Sequence, residues 1–147
     1  MLVARRYRFS ASHRLHSPLL SEEQNGVLYG KCNNPYGHGH DYVLEVVVKG
    51  EPDAVTGLVL PVGTLDATVR SAVLNDYENK YMNVEIPTYS GVVPTTENVT
   101  SDIHRRLSAA WPAEFPGAAL DSVRIWETKR NIVEIGGSLG PKKEFAV

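Results

Sequence analysis

The chain has 147 residues, enough for one domain of ordinary size and short for two. Hydrophobic residues make up 42% of it and charged residues 22%, which excludes a largely disordered chain. The net charge of −2 has no basic excess, so no nucleic acid or membrane partner is expected. The single cysteine, Cys32, has no partner for an intrachain disulfide, which favours a reducing, cytoplasmic compartment.

Two strands are predicted in the first third of the chain. The inward face of the first strand alternates with polar residues and consists of Tyr7, Phe9, Ala11 and His13. Alternation resumes in the second strand, whose inward face consists of His38, His40, Tyr42, Leu44, Val46 and Val48. Residues 19–34 between the strands are polar and rich in turn-forming types, so a long loop is expected there.

Two helices are predicted in the middle of the chain. The first has Thr64 as its expected N-cap, and its apolar stripe consists of Leu65, Val69, Ala72 and Val73. An irregular polar loop is expected over residues 75–87. The second helix begins near Thr95, ends before Pro112 and has the stripe Val99, Ile103 and Leu107.

The chain then returns to strands. Val123, Ile125 and Glu127 alternate, and a turn at Lys129–Arg130 leads into a last strand. The order β-β-α-α-β-β predicts an α+β domain over residues 1–137, with a four-stranded antiparallel sheet and both helices on one face. Residues 138–147 are expected to form a loose tail. Because both sheet edges are open, the sheets are expected to pair across subunits.

Three histidines form a candidate metal site. His38 and His40 are two residues apart on one strand, so their rings point the same way, and His13 ends the neighbouring inward face. Three neutral imidazoles and one open position are a ligand set of catalytic zinc. We assign no function to the other two histidines, His16 and His104.

Three further features have both a functional and a structural interpretation. Cys32 precedes the histidine pair, where Lys31 and a metal would lower the pKa of its thiol, although most free cysteines are small buried hydrophobes. Glu127 either binds adjacent N–H donors of a ligand, such as a pterin or guanine edge, or turns to solvent or pairs with Arg130. The segment containing Thr95 to Asn98 is also an ordinary helix N-terminus.

Four longer motifs extend over nearly the whole chain, from about residue 7 to residue 135. They are FSASHRL at 9–15, GKCNNPYGHGHDY at 30–42, VVPTTENV at 92–99 and WETKRN at 126–131. In this order they resemble the 6-pyruvoyltetrahydropterin synthase family. The resemblance implies the T-fold, or tunnelling fold, in which subunits join their sheets into rings and form homohexamers as dimers of trimers.

The resemblance also implies roles for individual residues. The zinc ligands would be His13, His38 and His40, Cys32 would be the general base, and Glu127 would anchor the pterin ring. The motif Thr95, Thr96 and Glu97 would lie at the pocket. The implied substrate is 7,8-dihydroneopterin triphosphate. Zinc would hold its side-chain hydroxyls, proton removal would expel triphosphate, and an internal redox shift would give 6-pyruvoyltetrahydropterin.

The sequence departs from the family at an Asp-His pair that works with the cysteine. Glu78 and Asn79 occupy these positions, and a shifted register would place Asp76 and Tyr77 there instead, so neither register supplies a histidine. The spacing C-x5-H-G-H from Cys32 favours the pyruvoyl branch over 6-carboxytetrahydropterin synthases. Three functions stay open: the pyruvoyl-forming lyase, the carboxy-forming enzyme, and a weakly active or non-catalytic pterin-binding homologue.

Overall fold

A computed structural model describes residues 1–137, and the predicted tail, residues 138–147, lies outside the described residues. Five strands form one sheet in the order β3-β1-β2-β4-β5. The strands are β1 (Leu2–His13), β2 (His38–Gly50), β3 (Lys80–Tyr81), β4 (Ala118–Trp126) and β5 (Ile132–Gly136). The helices are α1 (Glu22–Tyr29), α2 (Val62–Val69), α3 (Asn75–Tyr77), α4 (Met82–Glu85) and α5 (Thr96–Ala109).

The long hairpin of β1 and β2 determines where the histidines meet. The strands pair antiparallel from Leu2 opposite Lys49 to His13 opposite His38. The predicted inward face of β2 is buried from Tyr42 to Val48, because its apolar side chains pack under the helices. The polar positions of that face therefore come together at the end of the hairpin where His13 and His38 lie.

The predicted α+β class is confirmed, and β1, β2, β4 and β5 form the predicted antiparallel four-stranded sheet. A fifth strand, β3, adds to the edge by pairing parallel with β1 at Ala11 and Ser12. Two residues have no periodicity of their own, so the sequence pattern did not reveal this strand.

The first predicted helix is longer than expected. It begins at Val62 with Pro61 as N-cap, so the prediction of Thr64 as N-cap is wrong. It then runs through a π-helical turn, Arg70–Leu74, into α3. The loop predicted for residues 75–87 is wrong over most of its length. Burial of Tyr77 prolongs the apolar stripe of the helix into α3, and the same range also contains β3 and α4.

The loop predicted for residues 19–34 is wrong where it contains α1. Ser21 and Gln24 form a reciprocal capping box, and two acidic residues follow the cap in the first turn. The buried residue of this helix is Asn25, whose side chain donates hydrogen bonds to three backbone carbonyls, including that of Ser17. Hydrophobic periodicity is therefore missing from a helix that local polar contacts stabilise.

The second predicted helix is confirmed as α5. Thr95 is its N-cap and accepts a hydrogen bond from the backbone N–H of Asn98. Its apolar stripe is fully buried against the sheet and consists of Val99, Ile103 and Leu107. No helix in residues 1–137 has the length and apolar character needed to cross a membrane.

Candidate functional site

The ring nitrogens of His13, His38 and His40 lie within 4.8 Å of one another. His13 Nε2 is 3.2 Å from His38 Nε2. In a tetrahedral zinc site with Zn–N bonds of about 2.0–2.1 Å, two ligand nitrogens lie about 3.3 Å apart. The hairpin register thus brings the three predicted ligands together at a spacing that fits a metal ion.

The surroundings of the rings favour their neutral, metal-binding form. His13 is fully buried and its Nδ1 lies 2.8 Å from the carbonyl oxygen of Pro94, so Nδ1–H donates and Nε2 keeps its lone pair. Burial lowers the pKa of both His13 and His40. The Nε2 atom of His40 is buried and has no hydrogen-bond partner among the described residues. An unpartnered buried nitrogen in such a cluster fits a metal ligand.

Cys32 lies in a 3-10 turn, Gly30–Asn33, that is fastened to the end of β1. The backbone N–H of Leu15 donates to the Cys32 carbonyl at 2.7 Å, and Asn33 Nδ2 donates to the Leu15 carbonyl at 2.8 Å. The side chain is half-buried, and burial, followed by the charge of Glu127, raises the pKa of its thiol. The expectation that Lys31 lowers the pKa of the Cys32 thiol is therefore wrong in the protein without a metal.

Glu127 follows β4 and points toward the histidines. Its side chain is 10% exposed, and Oε1 lies 3.6 Å from His13 Nε2 and 3.8 Å from His40 Nε2. Oε2 accepts a hydrogen bond from Asn131 Nδ2 at 2.7 Å. The partner is thus Asn131 rather than Arg130, and the carboxylate is turned into the site rather than toward solvent.

The start of α5 supports both the histidines and Glu127. Thr96 is buried, and its Oγ1 accepts a hydrogen bond from Asn131 Nδ2 at 3.0 Å. Thr95 caps the helix, whereas Glu97 is exposed. Sequence reasoning did not assign a role to Pro94 or Asn131, although both lie within the quoted motifs.

Tyr42 is another residue of the site that the sequence pattern assigned only to the core. It is fully buried, and its hydroxyl lies 3.5 Å from His13 Nδ1. Burial raises the pKa of its phenol, with further contributions from Glu127, Tyr89 and Cys32. Tyr42 therefore stays neutral at physiological pH and closes the inner side of the cluster.

Glu78 and Asn79 lie in the connection from α3 to β3, and both are exposed. Asn79 has a φ of 59°, a left-handed conformation that Asn and His adopt more readily than most residues. Its backbone N–H donates to the Ser10 carbonyl at 2.7 Å. Within residues 1–137, no hydrogen bond or ion pair joins the side chains of Glu78 and Asn79 to Cys32 or to the three histidines.

A family model described as 6-pyruvoyl tetrahydropterin synthase matches residues 2–138. The chain belongs to this family. Enzymes of the 6-pyruvoyl tetrahydropterin synthase family are lyases that act on a pterin, so the predicted enzyme class is confirmed.

Curated relatives and a solved structure agree with this assignment. The 6-pyruvoyl tetrahydrobiopterin synthases of Homo sapiens and Poecilia reticulata are each 42% identical over 135 residues, which is 92% of this chain and 90% and 89% of theirs. The 6-pyruvoyl tetrahydropterin synthase structure from Caenorhabditis elegans superposes with a TM-score of 0.85 at 35% identity, covering 94% of this chain and 96% of that one. The predicted T-fold is thereby confirmed.

Proposed function

We propose that the protein is a zinc-dependent lyase that eliminates triphosphate from 7,8-dihydroneopterin triphosphate to give 6-pyruvoyltetrahydropterin. The observation that carries the proposal is the convergence of the three histidines and Glu127 at one end of the sheet, with Cys32 close enough for Glu127 to raise its pKa. The names of the curated relatives support the same reaction.

His13, His38 and His40 would hold the zinc ion. When bound, zinc supplies a positive charge that polarises substrate hydroxyls and favours the thiolate form of Cys32. The Pro94 carbonyl fixes the ring of His13 through Nδ1, and Tyr42 excludes water from the inner side of the ring. These contacts hold the ligand nitrogens in place before substrate arrives.

Cys32 would act as general base on the substrate side chain. Because the pKa of the Cys32 thiol is raised, its thiolate is a stronger base once formed. The turn that carries Cys32 is held in place by a backbone hydrogen bond to Leu15. Glu127 would anchor the pterin by accepting hydrogen bonds from adjacent ring N–H groups, with Asn131 orienting its carboxylate. Thr95, Thr96 and Glu97 would border the pocket of the bound ring.

The replacement of the family's Asp-His pair by Glu78 and Asn79 favours a second candidate function. An amide does not titrate, so Asn79 cannot relay a proton from Cys32 or from the substrate. This supports a weakly active or non-catalytic, pterin-binding homologue, and 6-carboxytetrahydropterin synthesis from the same substrate stays a further alternative.

The proposed protein is a homohexamer in the cytoplasm. One T-fold domain over residues 1–137 would assemble into a homohexamer, a dimer of trimers, because β3 and β5 leave the sheet with two open edges. The unpaired cysteine supports a cytoplasmic compartment.

Product analysis tests the reaction. The zinc-loaded protein is incubated with 7,8-dihydroneopterin triphosphate, and released triphosphate and pterin products are separated and identified. A 6-pyruvoyl product is expected. A 6-carboxy product would establish the alternative enzyme, and binding of the substrate without any product would establish the non-catalytic homologue.

A further inference from the structure

The two carboxylate oxygens of Glu127 have different surroundings. Oε2 accepts the hydrogen bond from Asn131. For Oε1, no hydrogen-bond donor is found among residues 1–137, and its neighbours at 3.6 Å and 3.8 Å are the Nε2 atoms of His13 and His40. One oxygen is therefore held in place, while the other is aimed at the histidines.

The contact between Glu127 Oε1 and His13 Nε2 is not a hydrogen bond, because neither atom donates to the other. His13 donates through Nδ1 to the Pro94 carbonyl, so its neutral ring presents a lone pair, not a proton, to Oε1. A positive ion between the two acceptors would turn this contact into an attraction.

No lysine or arginine within the described residues forms an ion pair with Glu127, although its side chain is 10% exposed. A nearly buried carboxylate is costly unless a positive charge or hydrogen bonds compensate it. The free nitrogen of His40 faces the same oxygen. The Nε2 lone pair of His13, the unpartnered Nε2 of His40 and Oε1 of Glu127 thus converge on one place.

We infer that Glu127 is the fourth ligand of the metal ion held by His13, His38 and His40 while no pterin is bound. Neighbouring ligand atoms of a tetrahedral zinc ion lie about 3.3 Å apart. The separations of Oε1 from His13 Nε2 and His40 Nε2, 3.6 Å and 3.8 Å, are close to that spacing. Glutamate oxygen is an established zinc ligand, with Zn–O bonds of about 2.0–2.2 Å.

This inference rests on the proposed function, because the same carboxylate is there the anchor of the pterin ring. With a metal bound, Glu127 would exchange its contact with the ion for the ring N–H groups when a pterin arrives. Binding of the correct ring would thereby free a place for the substrate's hydroxyls. Glu127 would thus link ring recognition to metal coordination, because the same carboxylate binds the metal ion before the pterin arrives and the ring N–H groups afterwards.

The experiment uses Co²⁺ in place of zinc, because its visible absorption reports the ligand set directly. Wild type, Glu127→Gln and Glu114→Gln are compared for Co²⁺ affinity, by competition with a chelator, and for their spectra. Glu114 is a charge-matched control, since it lies beyond the C-terminal end of α5 whereas the site adjoins the N-terminal end. Loss of outer contacts of a metal site typically costs about 10–100-fold in affinity, so loss of a ligand should cost at least tenfold.

The expected result is a changed spectrum and at least tenfold weaker Co²⁺ binding for Glu127→Gln, with Glu114→Gln equal to wild type. Weaker binding with an unchanged spectrum would overturn the inference, because a nearby charge alters affinity without altering the ligand set. Retained affinity and spectrum would overturn it as well. Failure of wild type to bind Co²⁺ would instead remove the metal site of the proposed function, and this inference with it.

A second arm adds unsubstituted pterin, which has the ring N–H groups but no side-chain hydroxyls, and follows its binding by fluorescence. Bound pterin should shift the wild-type Co²⁺ spectrum toward that of Glu127→Gln. Pterin binding without a shift would overturn the ligand exchange and leave the proposed function intact. If pterin does not bind while the Glu127→Gln spectrum differs, the fourth ligand stands and ring recognition in the proposed function fails.

Discussion

His38 is the metal-ligand candidate whose replacement should disturb the fold least. It is the first residue of β2 and half-buried, whereas the core of that strand begins at Tyr42. His38→Ala should lose stoichiometric zinc, because two imidazoles remain where three converged. The metal-free variant should unfold at nearly the same temperature as metal-free wild type, since bound metal itself stabilises the folded state.

Metal analysis and circular dichroism measure the two effects of His38→Ala. His104→Ala serves as control, since no hydrogen bond of its ring is found among the described residues and it lies in α5, away from the cluster. Stoichiometric zinc in His38→Ala would contradict its assignment as a ligand.

The replaced pair, Glu78 and Asn79, is expected to slow the reaction without preventing binding. Acid–base groups typically contribute about 10²–10⁴-fold to rate, and the amide of Asn79 cannot accept a proton. Glu78→Asp together with Asn79→His should raise the single-turnover rate at least tenfold. The backbone at residue 79 has a φ of 59°, which His also tolerates, so the double variant should fold normally.

Single-turnover measurements at saturating protein separate this effect from product release. Asn79→Gln is the matched control, since it changes the side chain but adds no titratable group. If wild type is already as fast as the double variant, the missing histidine has no part in catalysis.

At the residue scale, the sequence predicts the groups that bear chemistry better than those that position them. The alternation of β2 places His38 and His40 on one face, and the register with His13 follows from the hairpin. Pro94 acts through its backbone carbonyl and Asn131 through an amide shared by two acceptors. Such contacts depend on the distance between elements, which no local pattern contains.

At the element scale, a buried polar network joins α3 to α5. Asp102, only 4% exposed, accepts hydrogen bonds from Tyr77, Arg105 and Arg106. Tyr77 also shares a hydrogen bond with Tyr89 at 2.6 Å. These contacts fix the end of the helix immediately before residues 78 and 79, so the network positions that segment.

Asp102→Asn should destabilise the protein by about 1–3 kcal/mol, because the buried Asp102 side chain loses charge-assisted hydrogen bonds while Arg105 and Arg106 stay partly exposed and Arg106 keeps Asp76. Burial alone would raise the pKa of Asp102, but hydrogen bonds from Tyr77, Arg105 and Arg106 hold it below its ordinary value. The unfolded chain therefore binds a proton at this group first as the pH falls. The wild type should lose stability below about pH 4, and this loss should be smaller in the variant.

Urea unfolding between about pH 2 and pH 7 measures both effects. Asp76→Asn is the control, because Asp76 binds the same Arg106 from an exposed position and should contribute about 0–1 kcal/mol. A pH dependence of Asp102→Asn parallel to that of wild type would show that the native carboxyl is not stabilised by this network.

The elements that the sequence did not predict are those without an apolar stripe. In α1 the capping box and Asn25 supply the stabilising contacts, and β3 depends on its partner β1. The long apolar stripe of α5 and the alternation in β1, β2 and β4 were sufficient for the rest of the fold. Hydrophobic periodicity reports burial, so elements that bury little apolar surface leave no such signal.

At the scale of the whole molecule, β5 is an open edge of the sheet. The backbone N–H of Glu127 donates to the Asn131 carbonyl, so in the antiparallel alternation the backbone groups of the next residue, Ile132, point away from β4. The Ile132 side chain is 47% exposed. This strand can therefore pair with a second copy of the chain.

Ile132→Pro should convert the proposed hexamer to smaller species, because proline removes an outward N–H donor while an edge strand tolerates it. Light scattering coupled to size-exclusion chromatography measures the mass. Ile132→Val keeps the donor and should assemble like wild type. A monomeric wild type, or an Ile132→Pro variant of wild-type mass, would contradict assembly through β5.

The segment that leads into α5, residues 94–96, contacts two neighbouring parts of the site. The Pro94 carbonyl orients His13, and two residues later Thr96 receives the amide of Asn131 that also holds Glu127. If Glu127 anchors the ring as proposed, specificity for the ring therefore depends on the same segment that orients the metal-ligand candidate His13. Changing the protein to bind another heterocycle would then require residues 94–96, 127 and 131 to be redesigned together. A substitution at residue 127 alone would leave the Asn131 amide and the Thr96 hydroxyl arranged for the original carboxylate.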